Sequence, residues 1–328
     1  MTKHERVAAA LARKPIDRPP LSFWRHAPAV DHTARGLADA MLAFQRRWAL
    51  DFIKVMSSGV YCVEDWGCKV AYTGAASGAK QCTEHAVKAT ADWQRIKPLD
   101  PGAGALGREL EAVRVIVKEK SDDAPVLHTL FSPFTICRKL AGEQLAVDCG
   151  TDAAPVLAAL EMVTATMIRY ASAALEAGAD GLFFATQMAS GELMSREDAI
   201  RFDLPFARRV PASVNGRSSF TLLHIHGQAI YFDDLVGLPV HAINWHDRLT
   251  APTLSEATER FAGAVVGGLD EGGLLRRGPV AAIAAQVEDA VGQTGGMGIF
   301  VAPGCALPLD VPDEHLDAVV TAVRGSRR

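Results

Sequence analysis

Phe220-Thr221-Leu222-Leu223-His224-Ile225-His226-Gly227 begins as a buried β-strand and ends in two histidines. Side chains two positions apart on a strand point to the same side, so both imidazoles can aim into one cavity. A second short apolar strand, Gly298-Ile299-Phe300-Val301, runs into Ala302-Pro303-Gly304-Cys305. Two neutral imidazoles and one thiolate are a three-ligand set for zinc with an open fourth position, as in catalytic sites. His-x-His alone is a short, common pattern, and a lone histidine is more often a hydrogen-bonded core or surface residue. The cysteine strengthens the pattern only if the two strand ends meet in space. His224, His226 and Cys305 are therefore the candidate metal ligands.

Outward from this stretch, strand and helix alternate. Thr2 and Glu5 form a capping box for a first helix. Further strands are expected at Leu21-Ser22-Phe23, Phe52-Ile53-Lys54-Val55-Met56, Pro125-Val126-Leu127-His128-Thr129-Leu130, Leu182-Phe183-Phe184-Ala185, Ala242-Ile243-Asn244 and Ala264-Val265-Val266-Gly267-Gly268. Helices are expected near 36–48, 102–120, 151–177, 195–210, 233–237, 253–261, 279–292 and 312–324, while 74–100 reads as an irregular excursion. Eight strand–helix units predict an α/β fold, a single (β/α)8 TIM barrel spanning 1–328 with an N-terminal helix and a loop excursion after the second strand. In such barrels chemistry sits at the C-terminal strand ends. Those ends are rich here in polar residues: Arg25 and His26, Ser57 and Ser58, Ser132, Gln187, His224 and His226, Asn244 and His246, Asp270 and Cys305.

The 328 residues carry a net charge of −4 and are 49% hydrophobic, enough for a large core. Basic residues form no stripe, which argues against a nucleic-acid partner. The most apolar long stretch, 153–177, contains Glu161, Arg169 and Glu176, so it reads as a core-packed helix and not a membrane span. The charged start, Met1-Thr2-Lys3-His4-Glu5-Arg6, lacks a secretory apolar region. Six scattered cysteines, none in a Cys-x-x-Cys pair, suit a reducing cytoplasm. Cys62, Cys68, Cys82, Cys137 and Cys149 read as small packing residues. A homo-oligomer is left open.

Two further patterns carry less weight. Gly102-Ala103-Gly104-Ala105-Leu106-Gly107 matches a dinucleotide-binding pattern, but Pro98 and Pro101 stand where a strand is required, so it is read as a helix start. Glu64-Asp65 beside Trp66 reads as loop chemistry, not as an acid/base pair.

The Glu5-Arg6-Val7 start, Pro15-Ile16-Asp17-Arg18-Pro19-Pro20, the Leu269-Asp270-Glu271 turn, and Ala302-Pro303-Gly304-Cys305 with Pro308 and Val311-Pro312 resemble the uroporphyrinogen decarboxylase superfamily, which includes cobalamin-linked methyltransferases. The resemblance runs nearly end to end and implies a (β/α)8 barrel. In the tetrapyrrole decarboxylases an Arg-rich segment follows the first strand and an aspartate the second. Arg25 matches the first arginine, but Ala27-Pro28-Ala29 replaces the further basic run and Ser58 falls at the aspartate's place, so true uroporphyrinogen decarboxylase activity is not expected. The methyltransferase branch binds zinc through His-x-Cys and a later Pro-Gly-Cys. His224 and Cys305 match that pattern, and His226 replaces its middle cysteine.

With one thiolate and two imidazoles the ion would be net positive, a stronger Lewis acid but a poorer electron donor than a His/Cys/Cys site. The leading expectation is a zinc-dependent methyltransferase acting on a small-molecule acceptor such as a thiol. Gln187, Asn244 and His246 would position substrate, and a corrinoid on a separate protein would be the donor implied by the resemblance. Gln187, His246, Asp270 or water would supply a fourth ligand. The alternative is a metal-independent decarboxylase or lyase on a small carboxylated substrate, with Arg25 holding the carboxylate and His226 or His246 moving protons. A third reading is a non-catalytic barrel that binds a ligand or serves a methyl-transfer assembly.

Overall fold

The computed structural model describes residues 1–326. Among them nine strands form, in chain order β1 (Ile53–Val55), β2 (Lys69–Ala71), β3 (Gln81–Glu84), β4 (Val126–Phe131), β5 (Gly181–Thr186), β6 (Leu222–Ile225), β7 (Ala242–Trp245), β8 (Ala264–Leu269) and β9 (Ile299–Pro303). Seven make one parallel sheet in the order β1-β4-β5-β6-β7-β8-β9. Every residue of these seven strands is buried, as expected of parallel strands covered on both faces. Helices connect consecutive strands, giving a curled, TIM-barrel-like α/β fold.

The first expected strand shrinks to one residue. Leu21 makes a single parallel bridge to Val301, with Ser22 N–H donating to Val301 O at 3.2 Å and Val301 N–H to Pro20 O at 2.9 Å. Pro19 and Pro20 have no N–H to give, so a ladder cannot extend toward the N-terminus. On its other side, Leu21 O accepts from Asp51 N–H at 2.8 Å. The eight strands expected are thus seven plus a bridge. Asp51, fully buried, fastens this segment: its carboxylate accepts from Leu21 N–H at 2.8 Å and from both Arg6 and Arg18.

The excursion after the second expected strand is more ordered than its composition suggests. β2 and β3 pair as an antiparallel hairpin, and Thr90–Arg95 forms a 3-10 helix. The hairpin's polar, half-exposed residues gave no apolar alternation to read. Two helices, Pro133–Ala141 and Gln144–Thr151, were also not expected. Ser132 caps the first through Thr135 N–H, with Pro133 in the first turn, a start signal present in the sequence.

The helix Ala153–Glu176 is long and apolar enough to cross a membrane by composition alone, but half of its most apolar window is buried in the fold. Its Tyr170 hydroxyl hydrogen-bonds His128 of β4 at 2.8 Å. Gly104 opens a helix, Gly104–Glu119, as expected, and Asp65 accepts from Ala105 and Leu106 N–H at its start. Glu64 pairs with Arg108 of that helix, so both acids are structural.

Phe52, Phe220 and Phe300 meet with ring centroids 5.3–6.1 Å apart. They come from the N-terminal ends of β1, β6 and β9 and fill the interior there. Space for a ligand remains at the opposite, C-terminal ends.

Candidate metal centre and cavity

β6 and β9 lie three places apart in the sheet, yet its curl brings their ends together. Cys305 Sγ is 3.8 Å from His224 Nε2 and 3.5 Å from His226 Nδ1, and donor atoms of the three residues lie within 4.8 Å of one another. A nitrogen and a sulfur bound tetrahedrally to zinc are roughly 3.5 Å apart, given Zn–N near 2.0 Å and Zn–S near 2.3 Å. The donor set therefore fits zinc in type and spacing. Gly304 makes this approach possible, since a Cβ there would lie 2.8 Å from His246 Cα.

Asn244, expected to touch substrate, instead fixes His224. Its Nδ2 donates to the carbonyls of Val266 at 2.8 Å and Pro303 at 3.1 Å, which leaves Oδ1 to face His224 Nδ1 at 2.6 Å. Oδ1 can only accept, so Nδ1 carries the proton and Nε2 turns its lone pair toward Cys305. Burial also lowers the His224 pKa, favouring the neutral imidazole.

His246 reaches the cluster from the end of β7. Its Nε2 lies 3.3 Å from His226 Nδ1, and its Nδ1 is 2.9 Å from Glu271 Oε1. Glu271 also accepts from Gly304 N–H at 3.1 Å, tying His246 to the cysteine turn. Burial opposes a charge on His246, but the Cys305 sulfur and the Glu271 carboxylate raise it to about 10. Burial likewise opposes ionisation of Cys305, yet the imidazoles of His224, His226 and His246 gathered around its sulfur hold its thiol well below the ordinary value. A thiolate ringed by imidazoles is the state a metal requires of this set.

The cluster forms one wall of a cavity of about 290 Å³. Gln187 lines it, with Oε1 accepting from Lys139 Nζ at 2.6 Å. Asp270 does not reach it: its carboxylate caps Gly273 and Leu274 N–H. Of the fourth-ligand candidates, His246 touches the cluster directly, its Nε2 3.3 Å from His226 Nδ1. Arg25 is not brought in either. Its guanidinium lies 5.2 Å from the Phe44 ring centroid, along an outer groove with Arg47 and Trp48.

The cavity's cations are instead Lys54, Lys80 and Lys139, none anticipated from sequence. Lys80 pairs with Asp31. Lys54, on β1, has no carboxylate partner among the described residues and lies 3.7 Å from the Phe183 ring centroid. Burial lowers its pKa to about 7. Ser57 Oγ and His26 Nδ1, also on the lining, have no hydrogen-bond partner among the described residues. A lysine inside an otherwise apolar strand was the available signal for this subsite.

A TIM-barrel-like protein with a His/His/Cys cluster and a cationic cavity at its C-terminal strand ends has the layout of an enzyme active site. The chain belongs to the uroporphyrinogen decarboxylase (URO-D) family, which its residues 2–326 match. It is 26% identical to the methylcobamide:CoM methyltransferase MtbA of Methanosarcina mazei, over 99% of this chain and 98% of that one. It is 24% identical to MtbA of Methanosarcina acetivorans, over 98% of both. Among solved structures, a methyltransferase from Methanosarcina mazei superposes with a TM-score of 0.86 at 23% identity, covering 99% of this chain and 98% of that one. A B12-independent methionine synthase from Shewanella shares the fold at a TM-score of 0.58 and 13% identity, covering 95% and 94%.

Proposed function

We propose that this protein is a zinc-dependent methyltransferase that moves a methyl group between a corrinoid on a separate protein and a small thiol acceptor. The observation that carries this reading is the convergence of Cys305 Sγ on His224 and His226 at the cavity wall. The relatives' names supply methylcobamide as the donor and CoM as the acceptor. His224, His226 and Cys305 would hold the ion. Bound there, zinc supplies Lewis acidity that lets a thiol ionise near neutral pH.

The chain's own residues do the rest. Asn244 keeps His224 in one tautomer and orientation, and Glu271 locks His246 beside His226. Lys54 and Ser57 offer unused donors across the cavity, which suit an acidic group on the acceptor. Phe131 and Phe183 wall the cavity with apolar surface and limit water. The metal-independent decarboxylase loses the residue it required, because Arg25 does not line the cavity.

Metal analysis and methyl transfer test the reading together. Reduced protein purified with zinc is expected to hold an equivalent that His224→Ala and Cys305→Ser lose, along with transfer from methylcobalamin to a thiol. Protein whose zinc uptake is the same in wild type and both variants would overturn it.

A further inference from the structure

The hairpin beside the cavity brings together a second set of soft donors. Cys68 precedes β2, Cys82 lies on β3 and His85 follows it, so the latter two have Cys-x-x-His spacing. Antiparallel pairing sets Val70 opposite Cys82, with an irregular register at Lys69/Val70. One donor atom from each of Cys68, Cys82 and His85 consequently lies within 4.8 Å of the other two. Both cysteines are free. Cys68 is buried, whereas Cys82 and His85 are half-exposed, so an ion can reach them from solvent.

The surroundings prepare these groups for an ion. His85 Nδ1 donates to Lys139 O at 2.9 Å, leaving Nε2 as the nitrogen with a free lone pair. A backbone carbonyl on one ring nitrogen is a common way of orienting an imidazole that binds a metal through the other. Cys68 Sγ accepts from Ala86 N–H at 3.3 Å and donates to Lys139 O at 3.8 Å, which fixes the sulfur beside His85 at the base of the hairpin. Gly142, at φ +58°, keeps room beside the ring, since a Cβ there would lie 2.7 Å from His85 Nε2.

We propose that Cys68, Cys82 and His85 form a second metal site, for a zinc-class divalent ion, with water completing the coordination. Binding would release the two thiol protons as both sulfurs become ligands. The site braces the cavity. It ties both strands of the hairpin to the Lys139 backbone, while Ser77, Ala79 and Lys80 between those strands, and the Lys139 side chain, line the cavity. Position explains why the set escapes a reading by sequence spacing: thirteen residues lie between the two cysteines.

Zinc titration of reduced, metal-free protein against a chromophoric chelator tests this. Wild type is expected to take two equivalents per chain, Cys82→Ser one, Cys305→Ser one, and the double variant none. Equal uptake by wild type and Cys82→Ser would overturn the second site. Equal uptake by wild type and Cys305→Ser would overturn the centre at the barrel mouth and leave this one standing. Should Cys82→Ser fail to fold, cobalt(II) added to Cys305→Ser reads the same site. A sulfur-to-cobalt charge-transfer band that disappears in Cys305→Ser/His85→Ala supports it, and absence of the band overturns it. Cys305→Ser that takes no zinc under reduction, and loses two hydrogens in intact mass on air exposure, would show a disulfide in its place.

Discussion

Asn244 holds His224 through a 2.6 Å contact from Oδ1 to Nδ1, and two backbone carbonyls prevent the amide from turning over. The ring nitrogen facing Cys305 is thereby settled by residues that never meet a ligand. Loss of such an outer partner typically weakens a metal site about 10–100-fold. Asn244→Ala is expected to retain all three ligands yet bind zinc that much more weakly, measured by chelator competition. Unchanged affinity would remove Asn244 from the positioning role.

Lys54 gives a pH dependence with a definite sign. Its pKa falls from 10.5 to about 7 by burial. Between these values the unfolded chain binds the extra proton, so stability rises with pH across that window and the full penalty applies below it. Lys54→Met removes the penalty. Its melting temperature should exceed that of wild type at pH 6 and converge on it by about pH 10. A gap of equal size at both pH values would contradict the buried, unpaired amine.

The same amine predicts how acidic ligands bind. Affinity of wild type for a small carboxylate or sulfonate should fall about tenfold per pH unit above 7 as Lys54 loses its proton. Lys54→Met should bind weakly at pH 6 and show no such slope. Isothermal titration with chelated protein separates this from the metal, because the lysine subsite does not require the ion.

Asp51 joins the N-terminal segment to the sheet. It is fully buried, holds Arg6 and Arg18, and accepts from Leu21 N–H. Asp51→Ala leaves two guanidinium groups without that partner and is expected to cost about 3–5 kcal/mol. Urea denaturation reads the loss. A midpoint within error of wild type would show that the segment is fastened elsewhere.

The His224, His226 and Cys305 cluster is legible in the sequence because chemistry-bearing residues interrupt apolar runs at strand ends. His224 and His226 share a face by simple alternation, and Pro303-Gly304 marks a tight turn that presents Cys305. Arg25 was misplaced for a related reason: its strand is only a bridge, so alternation could not be carried forward from Leu21 to tell which way Arg25 points. Asp270 and Glu271 looked equivalent in sequence. Only the fold shows that one caps a turn while the other grips His246. Lys139 lies in a short amphipathic helix with little length in which periodicity can show, and Ser132-Pro133 is the one start signal the sequence offers for it.

The residues Arg6, Asp17 and Arg18, which carried the family resemblance, prove to be architectural. Arg6 binds both Asp17 and Asp51, and Arg18 binds Asp51. These ion pairs fasten the N-terminal segment to the sheet and say nothing about what the protein transforms.

One consequence follows from Lys54 facing the same chamber as the His224, His226 and Cys305 wall. Zinc held at that wall as proposed would make a cationic centre, and such a centre and an unpaired ammonium repel each other until something negative lies between them. An acidic guest bridging the two must therefore tighten the hold on zinc, and zinc must tighten the hold on the guest by an equal factor, since such linkage is reciprocal. The two occupants would then be retained or released as a pair.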